Sequence, residues 1–328
     1  MKIFSPVLRK LCKLAVLSMF AATAPIWAVG EGFSGSIRIL VGFPAGGTID
    51  VVTRQVALEM GEDFGVPVVV ESLTGAGGQI AAQALKRAAP DGRTLMVAPD
   101  HTAVVIPLTM ANPGFNVAKD FTPIGLVANY VGALAVSQAS GIKDMPGFLA
   151  SVKNNPSVGN VGVAAAGSKP QFQLRALSRQ QNMELNAVPY RGSVPLVQDL
   201  AGGHLTAGIT ALGDFLEFNK EGKLRVIAIV GDQRSSVLPD VPTATELGYP
   251  MRINFWIGMF APTGTPPALV ARLNKSLNKA LASAKVRERM AALVFEPKAT
   301  TPAELNERIA AEMKQWAPLV SAAGWVKQ

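Results

Sequence analysis

Two histidines, His101 and His204, and one cysteine, Cys12, are the whole supply of imidazole and thiol in the 328 residues. They lie far apart, no G-x-S-x-G nucleophile elbow or H-E-x-x-H pair is present, and neither a zinc ribbon nor a multi-histidine metal site can be assembled. Hydrolytic and metal-assisted chemistry therefore lack their usual parts, and no cofactor is expected. What the chain offers instead is chemistry for holding an anion. Phe43-Pro44-Ala45-Gly46-Gly47-Thr48-Ile49-Asp50 stands between a predicted strand and a predicted helix. In a parallel sheet this loop lies at the carboxyl end of the strand, where open α/β folds bind ligands. Two adjacent glycines let the backbone approach a ligand, and the free N–H groups of the first helical turn sit beside a partial positive charge.

Thr74-Gly75-Ala76-Gly77-Gly78-Gln79 repeats the arrangement after the next predicted strand, and Ala164-Ala165-Ala166-Gly167-Ser168 does so in the second half. The first two carry neither a Gly-Lys-Ser/Thr ending nor G-x-G-x-x-G with an acidic residue about 20 positions on, so nucleotide binding is not expected. Opposed loops of this kind from two halves would enclose a small carboxylate.

Other polar residues carry two readings each. His101, in Pro99-Asp100-His101-Thr102, lines a cleft or stands behind it, whereas His204, between Gly203 and Leu205, reads as a solvated turn residue. Asp50 and Arg54, four apart on one helix, form a local ion pair worth a few tenths of a kcal/mol, or Asp50 caps the helix or accepts a ligand ammonium. Arg191, after Tyr190, is a bidentate carboxylate clamp or a surface arginine.

The elements that must position these residues alternate as strand and helix, the signature of βα units around mostly parallel sheets. Strands are predicted at 37–41, 66–70, 94–98, 133–136, 158–163, 187–190, 207–212 and 224–230, with helices at 50–60, 79–88, 145–153, 171–180 and 194–200. Leu269, Leu273, Leu277 and Leu281 make an apolar stripe after Pro266 and Pro267. Thr301-Pro302-Ala303-Glu304 has capping-box spacing, and Leu305, Ile309, Met313, Trp316 and Val320 continue the buried side of that helix.

With 49% hydrophobic and 16% charged residues the chain can bury a large core. Residues 1–28 begin with Lys2, Arg9, Lys10 and Lys13 and continue into an apolar stretch of about 15 residues holding Pro25, short of the roughly 20 that span a bilayer. They read as a secretory signal peptide, cut after Ala28. Removing four positive and no negative residues takes the formal charge from +8 to +4 and leaves no cysteine, which suits an oxidising periplasm and not a nucleic-acid binder.

Together the segments resemble the Bug-type periplasmic solute-binding proteins of tripartite tricarboxylate transporters. The resemblance rests on Phe43 to Asp50 with Arg54, on Val68-Val69-Val70-Glu71 leading into Gly75-Ala76-Gly77-Gly78, and on Asp91-Gly92-Arg93-Thr94-Leu95. Lys119-Asp120-Phe121-Thr122-Pro123-Ile124, Val188-Pro189-Tyr190-Arg191-Gly192, Leu238-Pro239-Asp240-Val241-Pro242-Thr243, Trp256 and Ala261 to Pro266 follow in family order. The resemblance implies an α/β two-domain flytrap of type II, with residues 31–128 plus 251–328 as one domain and 129–250 as the other. It implies a monomer that holds a small organic carboxylate in the interdomain cleft and hands it to inner-membrane transporter subunits; a carboxylate sensor reporting to a signalling partner is the alternative. The expected ligand-contacting set is Phe43, Pro44, Ala45, Gly46, Gly47, Thr48, Asp50, Gly77, Gly78, Gln79, His101, Gly167, Ser168, Tyr190, Arg191 and Asp214. Ser72, Thr74, Gln171 and Arg175 depart from the residues usual in the family.

Overall fold

The computed structural model describes Phe33 and residues 35–327. The predicted signal segment, residues 1–28, lies outside the described residues. Ten strands, β1 (Ile37–Val41), β2 (Val68–Ser72), β3 (Thr94–Pro99), β4 (Phe121–Ser137), β5 (Asn160–Val163), β6 (Asn186–Pro189), β7 (Ala207–Ala211), β8 (Leu224–Val230), β9 (Asn254–Pro262) and β10 (Phe295–Pro297), pair in the order β2-β1-β3-β9-β4-β7-β5-β6, with β8 and β10 also on β4. The long β4 is shared by two sheets. Its residues up to Val131 pair with β9, and from Gly132 onward the same strand pairs with β7 and β8. Each sheet has a parallel part, β2-β1-β3 in the first and β6-β5-β7 in the second. The antiparallel β4 and β9 make both mixed.

Strands buried on both faces need apolar residues on both, and β1 supplies them. Ile39 and Val41 face a core with Val52, Val56 and Met60, while Leu40 packs on the other side with Met96, Trp256 and Phe260. The second sheet has its own core around Val136, Phe148, Val161, Leu177 and Ile209.

Among the described residues nine longer helices flank the sheets: α1 (Thr48–Phe64), α2 (Gln79–Lys86), α3 (Met145–Asn154), α4 (Lys169–Gln181), α5 (Ser193–Ala201), α6 (Leu212–Lys220), α7 (Pro267–Ala282), α8 (Ala284–Ala292) and α9 (Pro302–Ala322). One face of α1 is buried through Val52, Val56 and Met60, and the helix ends where Gly65 turns left-handed at φ 71°. The capping box at Thr301 and Glu304 forms in both directions. Sequence patterning missed β9, β10, α6, α8 and the first twelve residues of β4.

Candidate functional site

Four helices begin at one place. The N-termini of α1 and, from the side of the second sheet, of α4, α5 and α6 bring Thr48, Ser168, Ser193 and Asp214 to a common chamber. Phe43, Pro44, Gly47, Asp50, Pro99, Asp100, His101, Tyr130, Thr210 and Phe255 complete most of its wall. This inner chamber offers ≈ 80 Å³ to the centres of water-sized atoms. It shares Phe43, His101, Ala164 and Ala165 with an outer chamber of ≈ 380 Å³, lined also by Gly77, Met110, Tyr190, Arg191 and Trp325. Helix N-termini carry unpaired N–H groups and a partial positive charge, so their convergence favours an anion.

The first loop is held from below by Asp50. Its carboxylate accepts both Arg54 Nε and Nη2 at 2.9 Å, the Gly46 N–H at 3.0 Å and the Ser72 hydroxyl at 3.2 Å. Burial alone would raise its pKa, but Arg54 and these donors outweigh it and hold Asp50 below the ordinary carboxylate range. The ion pair expected of Asp50 is therefore formed, whereas the expected helix cap is not: α1 has no side-chain cap at Gly47, and the carboxylate instead ties down the loop through the Gly46 N–H.

The second side answers with Asp214 and Ser168. Asp214 Oδ1 accepts the Thr48 N–H at 3.2 Å, and Oδ2 accepts the Thr210 hydroxyl at 3.0 Å. Burial pushes the Asp214 pKa up, only partly offset by these donors. The Ser168 hydroxyl, 6% exposed, lines the chamber with no hydrogen-bond partner.

Close approach of the two sides depends on missing side chains. A Cβ on Gly47 would lie 3.3 Å from Ser193 Oγ, and one on Gly192, whose φ is 103°, would collide with the Pro44 ring. Gly77 likewise has no room for a Cβ beside His101.

The expected set lacks the wall residues Asp100, Tyr130, Ser193, Thr210 and Phe255, and two further features eluded the sequence. Lys169, buried at the start of α4, reaches across to Asp100 at 2.5 Å and to Glu312 of α9 at 2.7 Å. Trp256 Nε1 donates to the other Glu312 oxygen at 2.7 Å. Nothing local marks Lys169, since an ion pair 143 residues apart in sequence leaves no spacing to read. The second is Trp325, whose indole donates to Thr109 O at 3.0 Å and meets Phe172 edge-on at the outer chamber.

Of the sixteen expected contacts, Phe43, Pro44, Gly47, Thr48, Asp50, His101, Ser168 and Asp214 line the inner chamber, and Gly77, Tyr190 and Arg191 line the outer one. Ala45, Gly46, Gly78, Gln79 and Gly167 line neither. Four of these places have physical reasons: the Gly46 N–H is spent on Asp50, the Gly78 N–H on Gly75 O and the Gly167 N–H on Gln171 Oε1, while Gln79 Nε2 donates to Pro113 O. The Gly47 amide also turns inward, to Pro44 O at 3.4 Å. Backbone amides expected to face a ligand at Gly46, Gly47 and Gly78 thus stabilise the loops instead. Tyr190 directs its hydroxyl to Asp199 at 2.8 Å and presents only its ring. Exposed Arg191 makes no ion pair among the described residues, and His204 is exposed, as its turn predicted.

Two mixed α/β sheets facing a shared chamber across a common strand, with helix N-termini from both sides aimed into it, define a type II periplasmic binding-protein fold. The comparisons agree. The family profile described as the tripartite tricarboxylate transporter family receptor matches residues 52–325, and the chain belongs to that family. BugT of Bordetella pertussis is 33% identical over 316 residues, covering 95% of this chain and 97% of BugT. The structure of the periplasmic binding protein BugD superposes with a TM-score of 0.85 at 31% identity, covering 90% of this chain and all of BugD. MatC from Rhodopseudomonas palustris with bound malate gives 0.80 at 31%, covering 87% and 98%. Among the described residues no helix is long and apolar enough to cross a membrane.

Proposed function

We propose that this protein is a periplasmic receptor that captures a small organic carboxylate between its lobes and delivers it to the membrane subunits of a tripartite transporter. The observation that carries the reading is the convergence of the α1 and α4 N-termini, from opposite sides, on a chamber that also holds the unpartnered, buried Ser168 hydroxyl. Family membership and the malate bound to MatC point to the same ligand chemistry.

Magnitudes require both lobes. A hydrogen bond to a charged group contributes roughly 1.5–3 kcal/mol, so four supply about 6–12 before association costs of at least about 4 are subtracted. Micromolar binding needs about 8 kcal/mol net. One loop falls short, so the lobes, residues 31–128 plus 251–328 and 129–250, close over the ligand, and the closed monomer is the form the transporter recognises. An amino-terminal signal peptide places the chain in the periplasm.

Calorimetric titration of the purified mature protein with malate and other small carboxylates tests the binding, which is expected to be saturable with one ligand per chain. A silent panel would overturn it. Deleting the gene is expected to stop uptake of the bound acid; altered gene expression with uptake intact would transfer the protein to sensing.

A further inference from the structure

The charge around the inner chamber is uneven in a way that narrows the ligand. Its lining holds three carboxylates, Asp50, Asp100 and Asp214, and no lysine or arginine. Asp50 is neutralised by Arg54, and Asp100 by Lys169. Asp214 has no cationic partner among the described residues. Only neutral donors face it: the Thr48 N–H, the Thr210 hydroxyl, and the hydroxyls of Thr48 and Ser193. Tyr130, on the adjoining wall, feels the charges of both Asp100 and Asp214. His101, the other titratable group there, is uncharged at neutral pH because burial and then Lys169 lower its pKa to about 4.

An ionised carboxylate has about four acceptor positions, and rotating hydroxyls can give one up. A second carboxylate entering beside Asp214 would meet a like charge with no compensating cation, whereas an ammonium would supply the missing partner. The chamber also holds the opposite half of such a head group: the buried Ser168 hydroxyl without a partner, and the partial positive charge of the helix N-termini that converge on it.

We infer that Asp214 accepts an ammonium group of the ligand, so that the captured carboxylate belongs to a zwitterion, an amino acid or a closely related amino-carboxylate. This rests on the carboxylate-receptor reading and narrows it. The small inner chamber takes the charged head, and the larger outer chamber, with Met110, Trp325 and Arg191, takes the remainder.

Matched pairs of acids that differ only by the ammonium test it: aspartate against succinate, glutamate against glutarate, and phenylalanine against 3-phenylpropanoate, each titrated into the mature wild-type protein and D214N. In the pair that binds, the ammonium-bearing member is expected to bind at least tenfold more tightly, and D214N to reduce that preference below threefold while the deaminated acid still binds. Deaminated acids binding as tightly as their amino partners, or a preference that survives in D214N, would overturn this inference and leave the carboxylate reading standing. Silence across all six probes would sink both. Should D214N fail to fold by circular dichroism, the wild-type ratios decide alone.

Discussion

The Lys169 ammonium lies 2.5 Å from Asp100 Oδ2, with both side chains 2% exposed or less, and it joins helix α4 of one side to the end of strand β3 of the other. Burial alone would lower the Lys169 pKa; Asp100 and Glu312 outweigh it and keep the ammonium charged. The triad closes with Trp256 and Arg308 donating to Glu312. A buried pair adds little net stability over apolar residues of the same shape, yet removing one partner strands a charge.

Lys169→Met is therefore expected to destabilise the protein by about 3–5 kcal/mol, because Asp100 and Glu312 lose their shared cation. The triple variant K169M/D100N/E312Q should recover most of that loss. Urea unfolding checks both, and a triple variant no more stable than K169M would show that the pairing is not what matters.

His101 makes stability pH-dependent in a known direction. Desolvation, with a smaller contribution from Lys169, lowers its pKa from 6.5 to about 4. Between those values the unfolded chain binds the proton and the folded chain does not. Stability is therefore full above about pH 6.5 and falls by up to about 3 kcal/mol as pH drops toward 4. Asp214 works the other way, its raised pKa weakening the fold as pH rises through it. The difference between wild type and H101Q isolates the histidine: the wild-type melting temperature should fall relative to that of H101Q as pH drops from 7 to 4, and parallel curves would refute the assignment.

Local signals make much of this legible. The strands predicted at 37–41 and 224–230 match the observed β1 and β8, because continuous apolar runs bounded by turns have few alternatives. The Thr301 capping box is readable for the same reason: its hydrogen bonds span three residues. What stays hidden is non-local. The amino-terminal part of β4, Phe121-Thr122-Pro123-Ile124-Gly125, contains proline and glycine, which blur a strand pattern, and register shifts in its pairing with β9 accommodate them. Asp100 is in view as a neighbour of His101, but its partner Lys169 stands far along the chain on another helix. The glycine loops are visible as anion-friendly, while which amides point inward depends on tertiary acceptors such as Asp50 and Gln171 that no spacing rule supplies.

Gly46 and Gly47 separate two reasons for glycine. Gly46 has φ 84°, and a Cβ there would have nothing within 4 Å, so Gly46→Ala should cost about 1 kcal/mol of backbone strain and leave closure free. Gly47 has φ −70° and ψ 159°, which valine adopts readily, but its Cβ would crowd Ser193. Gly47→Val is expected to keep the fold within about 1 kcal/mol, the size of a helix-cap change, and to weaken ligand binding at least tenfold by holding the lobes apart. Calorimetry on both variants checks the contrast, and equal affinities would count against lobe contact as part of binding.

Ser168 offers the cleanest division between folding and binding. Its hydroxyl is buried at the N-cap of α4, makes no capping hydrogen bond and has no other partner, so the fold bears the cost of its desolvation without return. Ser168→Ala should therefore leave the melting temperature unchanged or raise it, the reverse of the usual loss on removing an N-cap serine. If the hydroxyl donates to a ligand carboxylate, the same variant loses about 1.5–3 kcal/mol of binding, a drop in affinity of roughly 10- to 100-fold. Thermal melts and titrations on one preparation read both quantities. A variant that loses stability and keeps its affinity would mean that Ser168 serves the helix rather than the ligand.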